Sequence, residues 1–198
     1  LGTTVAILVY ESSSYKFYVY DPSTQEITEK GSLSSYPNYV TEFDSKLYYT
    51  VYTSGSYYIY SFDGSTVSSV KNFGSDWLSY FTVYNSKLYF SQGSGSTYTL
   101  YSYDGTSFSS GTTLSGSVNR MVVFDSKLYM VLYKYSSGTS SYAIWSYDGS
   151  TLTNVVTLGS SYPNGLVEVS SKLYYSVYSS SGSSYGYDLY SLDGSTTS

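Results

Sequence analysis

The chain contains no cysteine and no histidine. Those two absences exclude a disulfide framework, a zinc–thiolate centre, a histidine-rich metal site and the Ser-His-Asp and Cys-His relays of nucleophilic catalysis. Arginine occurs once, as Arg120, and charged residues make up only 12% of the 198 positions. With a net charge of −5 and scattered lysines, the basic patch that nucleic acid requires is missing. No apolar run approaches the roughly 18 residues of a membrane-spanning helix. The stretch "VAILVY" at Val5 is the length of a strand. No cofactor and no metal are expected.

What is present is tyrosine, 30 residues of it, together with 66 serines and threonines. Disordered chains are poor in aromatic and β-branched residues, and this one is 20% aromatic. Such side chains favour a pleated, half-buried backbone, so the composition predicts an all-β domain of a size that can bury a real core. The neutral hydroxyl-rich surface changes charge little with pH, which suits an extracellular or cell-surface setting, that of a virion included.

A repeat organises the chain. "DSKLYY" at Asp44 returns as "NSKLYF" at Asn85, "DSKLYM" at Asp125 and "SSKLYY" at Ser170. A second motif, "YSFDGST" at Tyr60, returns at Tyr101, Trp145 and Tyr190, with a divergent copy "YVYDPST" at Tyr18. The turn aspartates Asp21, Asp63, Asp104, Asp148 and Asp193 therefore recur every 41 to 45 residues. Each full unit parses into four short strands; in the second copy these are 39–43, 46–53, 57–62 and 66–73. Four-stranded units of this length predict a β-propeller, most simply one of five blades. The blades are placed at about 1–33, 34–75, 76–116, 117–160 and 161–198. A parallel β-helix is the rival fold, but its coils are shorter.

The largest length change falls in one place. Lys46 and Lys87 each stand 17 residues before the next turn Asp, whereas Lys127 and Lys172 stand 21 before theirs. The extra four residues fall in the Ser/Gly-rich segments "YSSGTSS" and "SSSGSS" between the second and third strands. Numbering strands outward from the axis, the constant turns share one face. The variable loops and the inter-blade connections share the other, where function is expected. "GTTVAILVYESSSYKFYVYDP" aligns without gaps onto "DSKLYYTVYTSGSYYIYSFDG", so the first blade lacks its innermost strand and the last ends where its fourth strand starts. Open edges of this kind invite a homo-oligomer or filament, and a longer propeller is the other reading.

The units resemble secreted propeller repeats with the consensus Glu-Leu-Trp-x-x-Asp-Gly-Thr, the third copy ("NSKLYFSQGSGSTYTLYSYDGTS") most of all. "AIWSYDGST" keeps the tryptophan as Trp145, and "DLYSLDGST" keeps an acidic residue as Asp188. The chain departs from the pattern by using Tyr for Trp in most copies. Kelch-type propellers are a more distant likeness, without the paired glycines. The resemblance implies an extracellular or surface-associated architecture and no specific reaction.

The Asp-Gly pairs between extended runs are predicted to be hairpin turns, with glycine taking the positive φ of a primed turn. The four lysines that open each second strand are rim features. Glu42 and Glu168 share one register of the innermost strand, where a carboxylate pair suits glycoside chemistry; they equally suit a wet central channel. Tyr36, Trp77, Asn119, Arg120 and Tyr162 come to the variable face, where aromatics with amide and guanidinium donors suit a glycan or protein ligand. The packing alternative is that Tyr36, Trp77 and Tyr162 fill space between blades. The sequence thus predicts a non-enzymatic extracellular propeller for recognition, adhesion or assembly. Its alternatives are a structural subunit of a filament, surface layer or virion, and a glycan-active enzyme using Glu42 and Glu168.

Overall fold

The computed structural model describes residues 4–33, 35–181 and 184–193. They form five antiparallel meanders. Sheet one holds β1 (Val5–Glu11), β2 (Ser14–Asp21) and β3 (Glu26–Leu33). Sheet two holds β4 (Asn38–Phe43), β5 (Lys46–Thr53), β6 (Ser56–Phe62) and β7 (Val67–Asn72). Sheet three holds β8 (Trp77–Tyr84), β9 (Lys87–Ser94), β10 (Thr97–Tyr103) and β11 (Phe108–Leu114). Sheet four holds β12 (Ser117–Phe124), β13 (Lys127–Ser136), β14 (Thr139–Tyr147) and β15 (Leu152–Gly159). Sheet five holds β16 (Pro163–Val169), β17 (Lys172–Ser181) and β18 (Ser184–Leu192). Among the described residues the first and last sheets are three-stranded.

The sheets stack face to face in chain order, and four apolar layers lie between them. Phe17, Val19 and Leu33 of sheet one meet Tyr49, Val51 and Phe62 of sheet two, with Phe17 stacked on Phe62 at 4.7 Å. Ile59 then packs on Leu88 and Phe90, Leu100 on Leu128 and Met130, and Ile144 on Leu173 and Tyr175. Each such side chain contributes about 1.5–3 kcal/mol by leaving water. Both faces of the middle sheets are covered, which is why "KLYYTVY" shows no polar alternation. Polar ties cross the seams as well: the Thr41 hydroxyl donates to the Phe81 carbonyl at 3.1 Å, and the Tyr84 hydroxyl to the Ser126 carbonyl at 2.9 Å.

The turns divide differently from expectation. Two-residue primed turns join first and second strands without glycine, where Asp44-Ser45, Asn85-Ser86, Asp125-Ser126 and Ser170-Ser171 all have φ between 45° and 61°, and recur with glycine at Ser54-Gly55 and Ser137-Gly138. The Asp-Gly motif instead builds a four-residue loop around its carboxylate. Asp104 Oδ1 accepts from the Thr106 amide (2.9 Å), the Thr106 hydroxyl (2.8 Å) and the Ser107 amide (2.7 Å), while Gly105 takes φ 96°. Asp63 and Asp148 repeat this network. These hydrogen bonds to the ionised form hold the Asp104 carboxyl at about 2. The fifth motif runs on into Gly194, outside the described residues.

The four extra residues of the later units prove to be ladder. In sheet four the β13–β14 pairing runs on to Ser136 opposite Thr139, against Thr53 opposite Ser56 in sheet two. The corresponding loop tip of sheet five, 182–183, is outside the described residues.

Candidate functional site

At the variable rim the middle strands of four of the five sheets end in a cross-strand aromatic pair. Tyr10 faces Tyr15 (ring centroids 4.6 Å), Tyr52 faces Tyr57 (4.6 Å), Tyr133 faces Tyr142 (5.0 Å) and Tyr178 faces Tyr187 (5.7 Å). Sheet three substitutes Gly93 opposite Tyr98. There the Trp77 indole fills the space, stacked on Tyr98 at 6.0 Å, and a Cβ on Gly93 would stand only 1.5 Å from Trp77 Nε1. Tyr36 packs edge-on to Tyr15 and Tyr162 edge-on to Tyr142, each at 5.3 Å. Tyr36, Trp77 and Tyr162 therefore serve as inter-strand and inter-sheet packing, although 53%, 44% and 43% of their surface stays exposed.

A second array lies deeper, on the innermost strands β4, β8, β12 and β16, which neighbour one another in that order. All four carry a bulge in the same part of the strand, between Asn38 and Thr41, Ser79 and Thr82, Val118 and Arg120, and Asn164 and Val167. The matching repeat position holds Tyr39, Tyr80, Arg120 or Gly165, and of these Arg120 alone is paired, with Val131. Three of these four are left-handed: Tyr39 at φ 53°, Tyr80 at 52° and Gly165 at 77°. For a bulky aromatic that conformation is costly, and such strain clusters at ligand-handling sites. The following residues Phe81, Met121 and Leu166 turn back into the apolar layers. Tyr39 and Tyr80 meet across the seam at 5.1 Å, and burial beside Tyr80 and Tyr57 pushes the Tyr39 phenol up.

Arg120 occupies the third place in this row, half-buried, with Asn119 beside it in the bulge. Its Nε is fully enclosed and without a hydrogen-bond partner among the described residues. Next in order, Gly165 leaves open space: nothing lies within 4 Å of where its Cβ would stand. Sequence reasoning named Arg120 and missed Tyr39 and Tyr80. The signal available was the repeated polar-plus-one dipeptide at 38–39, 79–80, 119–120 and 164–165.

Glu42 and Glu168 stand on β4 and β16, with β8 and β12 between them around the inner row. The two carboxylates thus belong to sheets two and five. Glu168 instead faces Asp125 and Ser171 in a cleft between sheets four and five. On the constant rim a larger cleft of about 650 Å³ separates sheets one and two, lined by Asp21, Glu26, Lys30 and Asp63. No group of three metal-ligating side chains is found among the described residues.

No protein-family model matches the sequence, and no curated protein matches it either. Solved structures do. An acylaminoacyl peptidase in complex with Z-Gly-Gly-Phe-chloromethyl ketone superposes with a TM-score of 0.69 at 12% identity, over 98% of this chain and 36% of its own. The β-propeller domain of the Trilobed protease from Pyrococcus furiosus, which has an open velcro topology, gives 0.68 at 12% identity over 100% and 67%. The tricorn protease gives 0.56 at 12% identity over 97% and 22%. The chain thus spans about a third or less of the acylaminoacyl peptidase and tricorn chains, and about two thirds of the isolated propeller domain. The fold is that of a β-propeller.

These neighbours overturn the expectation of a propeller for recognition, adhesion or assembly, together with its filament and glycan-enzyme alternatives. The propellers matched belong to peptidases. Tyr36, Trp77 and Tyr162 meanwhile pack on neighbouring rings, and Glu42 and Glu168 stand on separate sheets.

Proposed function

We propose that the chain is a non-catalytic propeller module of a peptide-hydrolysing system, its five sheets serving as five blades, and that it holds unfolded polypeptide for a separate catalytic unit. The observation that carries this is the likeness to an acylaminoacyl peptidase across 98% of the chain. The absence of histidine and cysteine supports the division of labour, since the usual hydrolytic relays need one or the other. The inner row of Tyr39, Tyr80 and Arg120 supplies rings and a cation at a place where an extended chain can be gripped.

Fluorescence anisotropy with labelled peptides of eight to twelve residues tests the proposal, with mass spectrometry of the same mixtures after incubation. Saturable binding of the peptides, weaker binding of a folded protein carrying the same label, and recovery of uncut peptide are expected. Cleavage by the chain alone, or no binding of any peptide in the set, overturns it.

A further inference from the structure

We infer that Arg120, which follows Tyr39 and Tyr80 in the inner row, is a binding site for a carboxylate of a bound peptide. The choice of peptide as the ligand rests on the function proposed above; the carboxylate does not. Arg120 is the chain's one guanidinium. It is placed on β12, in the inner row, rather than on the solvated outer strands where a lone arginine is ordinarily found.

An enclosed Nε–H with nothing to donate to is an unsatisfied polar group on a permanently charged side chain, and burial without a partner is costly. No hydrogen bond or ion pair to the Arg120 side chain is found among the described residues; its Nε is closed off, so the terminal Nη nitrogens of this half-buried side chain are the donors left for a ligand. A planar guanidinium with free donors is matched by the two oxygens of a carboxylate, which it takes in a bidentate, charge-assisted grip.

The neighbours fit the same ligand. Tyr39 and Tyr80 occupy the equivalent bulge positions on β4 and β8, at left-handed backbone angles, with their rings 5.1 Å apart. They offer flat apolar faces and hydroxyl donors to the residues next to the carboxylate. On the other side Gly165 keeps the corresponding place on β16 empty, so a ligand on Arg120 meets no side chain from that position. A carboxylate can come from a peptide's C-terminus or from an Asp or Glu side chain. Both present the same oxygens.

Isothermal titration of the full chain with three versions of one decapeptide distinguishes the sources. The first has a free C-terminus and no acidic residue, the second an amidated C-terminus and a central Glu, the third an amidated C-terminus and no acid. The neutral peptide is expected to bind at least about tenfold more weakly than the better of the other two, the loss typical of a charged hydrogen bond. Which acid wins assigns the source. Arg120→Gln should bring all three to the neutral peptide's affinity, and Arg120→Lys should restore part of the difference. Tyr39→Asn, in which asparagine tolerates the left-handed backbone, should weaken all three and leaves a second route if Arg120→Gln does not fold.

Equal affinity for the three peptides overturns the inference while leaving the peptide-binding proposal standing. Absence of binding to any of them overturns both.

Discussion

Ile144 and Leu189 hold the same place in successive repeats, four residues before the turn aspartates Asp148 and Asp193, and their fates differ completely. Ile144 is 0% exposed and Leu189 is 69% exposed. Ile59 and Leu100, the same residue in earlier units, are 0% and 1% exposed. The local sequences are nearly alike, so the difference comes from the neighbour: sheet five covers Ile144, and Leu189 lies on the far face of sheet five. Burial in this fold is conferred by the next sheet in the stack.

The opposite end of the stack is built otherwise. Phe17 and Val19 point into sheet two, so Lys16 and Tyr18 point away from it. There Lys16 joins Glu11 and Glu29, each at 2.9 Å, and the Tyr18 hydroxyl donates to Glu11. One end face is closed with ionic groups, while the other presents Val167, Tyr187 and Leu189 uncovered.

The comparison can be broken most directly at its buried member. Ile144→Ala should cost about 2–5 kcal/mol in urea unfolding, because the cavity lies in a closed layer. Leu189→Ala should stay within about 0.5 kcal/mol. Equal effects would mean that the far face of sheet five is covered in solution. Next in size is Gly93→Ala, whose new methyl forces the Trp77 indole off Tyr98; overpacking of this kind costs about 1–3 kcal/mol. A red shift of tryptophan emission should accompany it.

Tyr162→Ala removes an edge-on contact to Tyr142 and should cost about 0.5–1.5 kcal/mol, less than the buried layer by a clear margin. The smallest effect belongs to the constant rim. Asp104 has its carboxyl depressed to about 2 by the Ser107 and Thr106 donors. Its contribution is therefore present above the ordinary carboxylate range near 4 and is lost as pH falls from there through about 2. Asp104→Asn should flatten the fall of Tm with pH inside that window and leave the rest of the curve unchanged. A steeper fall would assign the loop's hold to another group.

The repeat made much of this legible in advance. Identical spacing of Lys-Leu-Tyr and Asp-Gly forces identical meanders, and the gapless match of residues 2–22 onto 44–64 anticipates a first sheet without an inner strand. Three things were hidden for physical reasons. Asp-Gly is compatible with both a two-residue turn and a carboxylate-centred four-residue loop, and only the hydrogen bonds of Asp63, Asp104 and Asp148 decide. Aromatic residues near loops look alike whether they meet solvent or another ring, so the contacts of Tyr36, Trp77 and Tyr162 could not be assigned. A bulge adds one residue to a strand without altering its composition, so the repeated dipeptides at 38–39 and 79–80 did not mark Tyr39 and Tyr80 as left-handed.

The central claim is that the inner bulge row, rather than either rim, meets the ligand. Hydrogen–deuterium exchange of the chain with and without the preferred decapeptide tests it most directly. Added protection is predicted in segments 38–41, 79–82 and 118–121, with the Asp-Gly loops at 63–66, 104–107 and 148–151 unchanged. Protection confined to those loops, or to the Tyr-paired hairpin ends, would contradict the account.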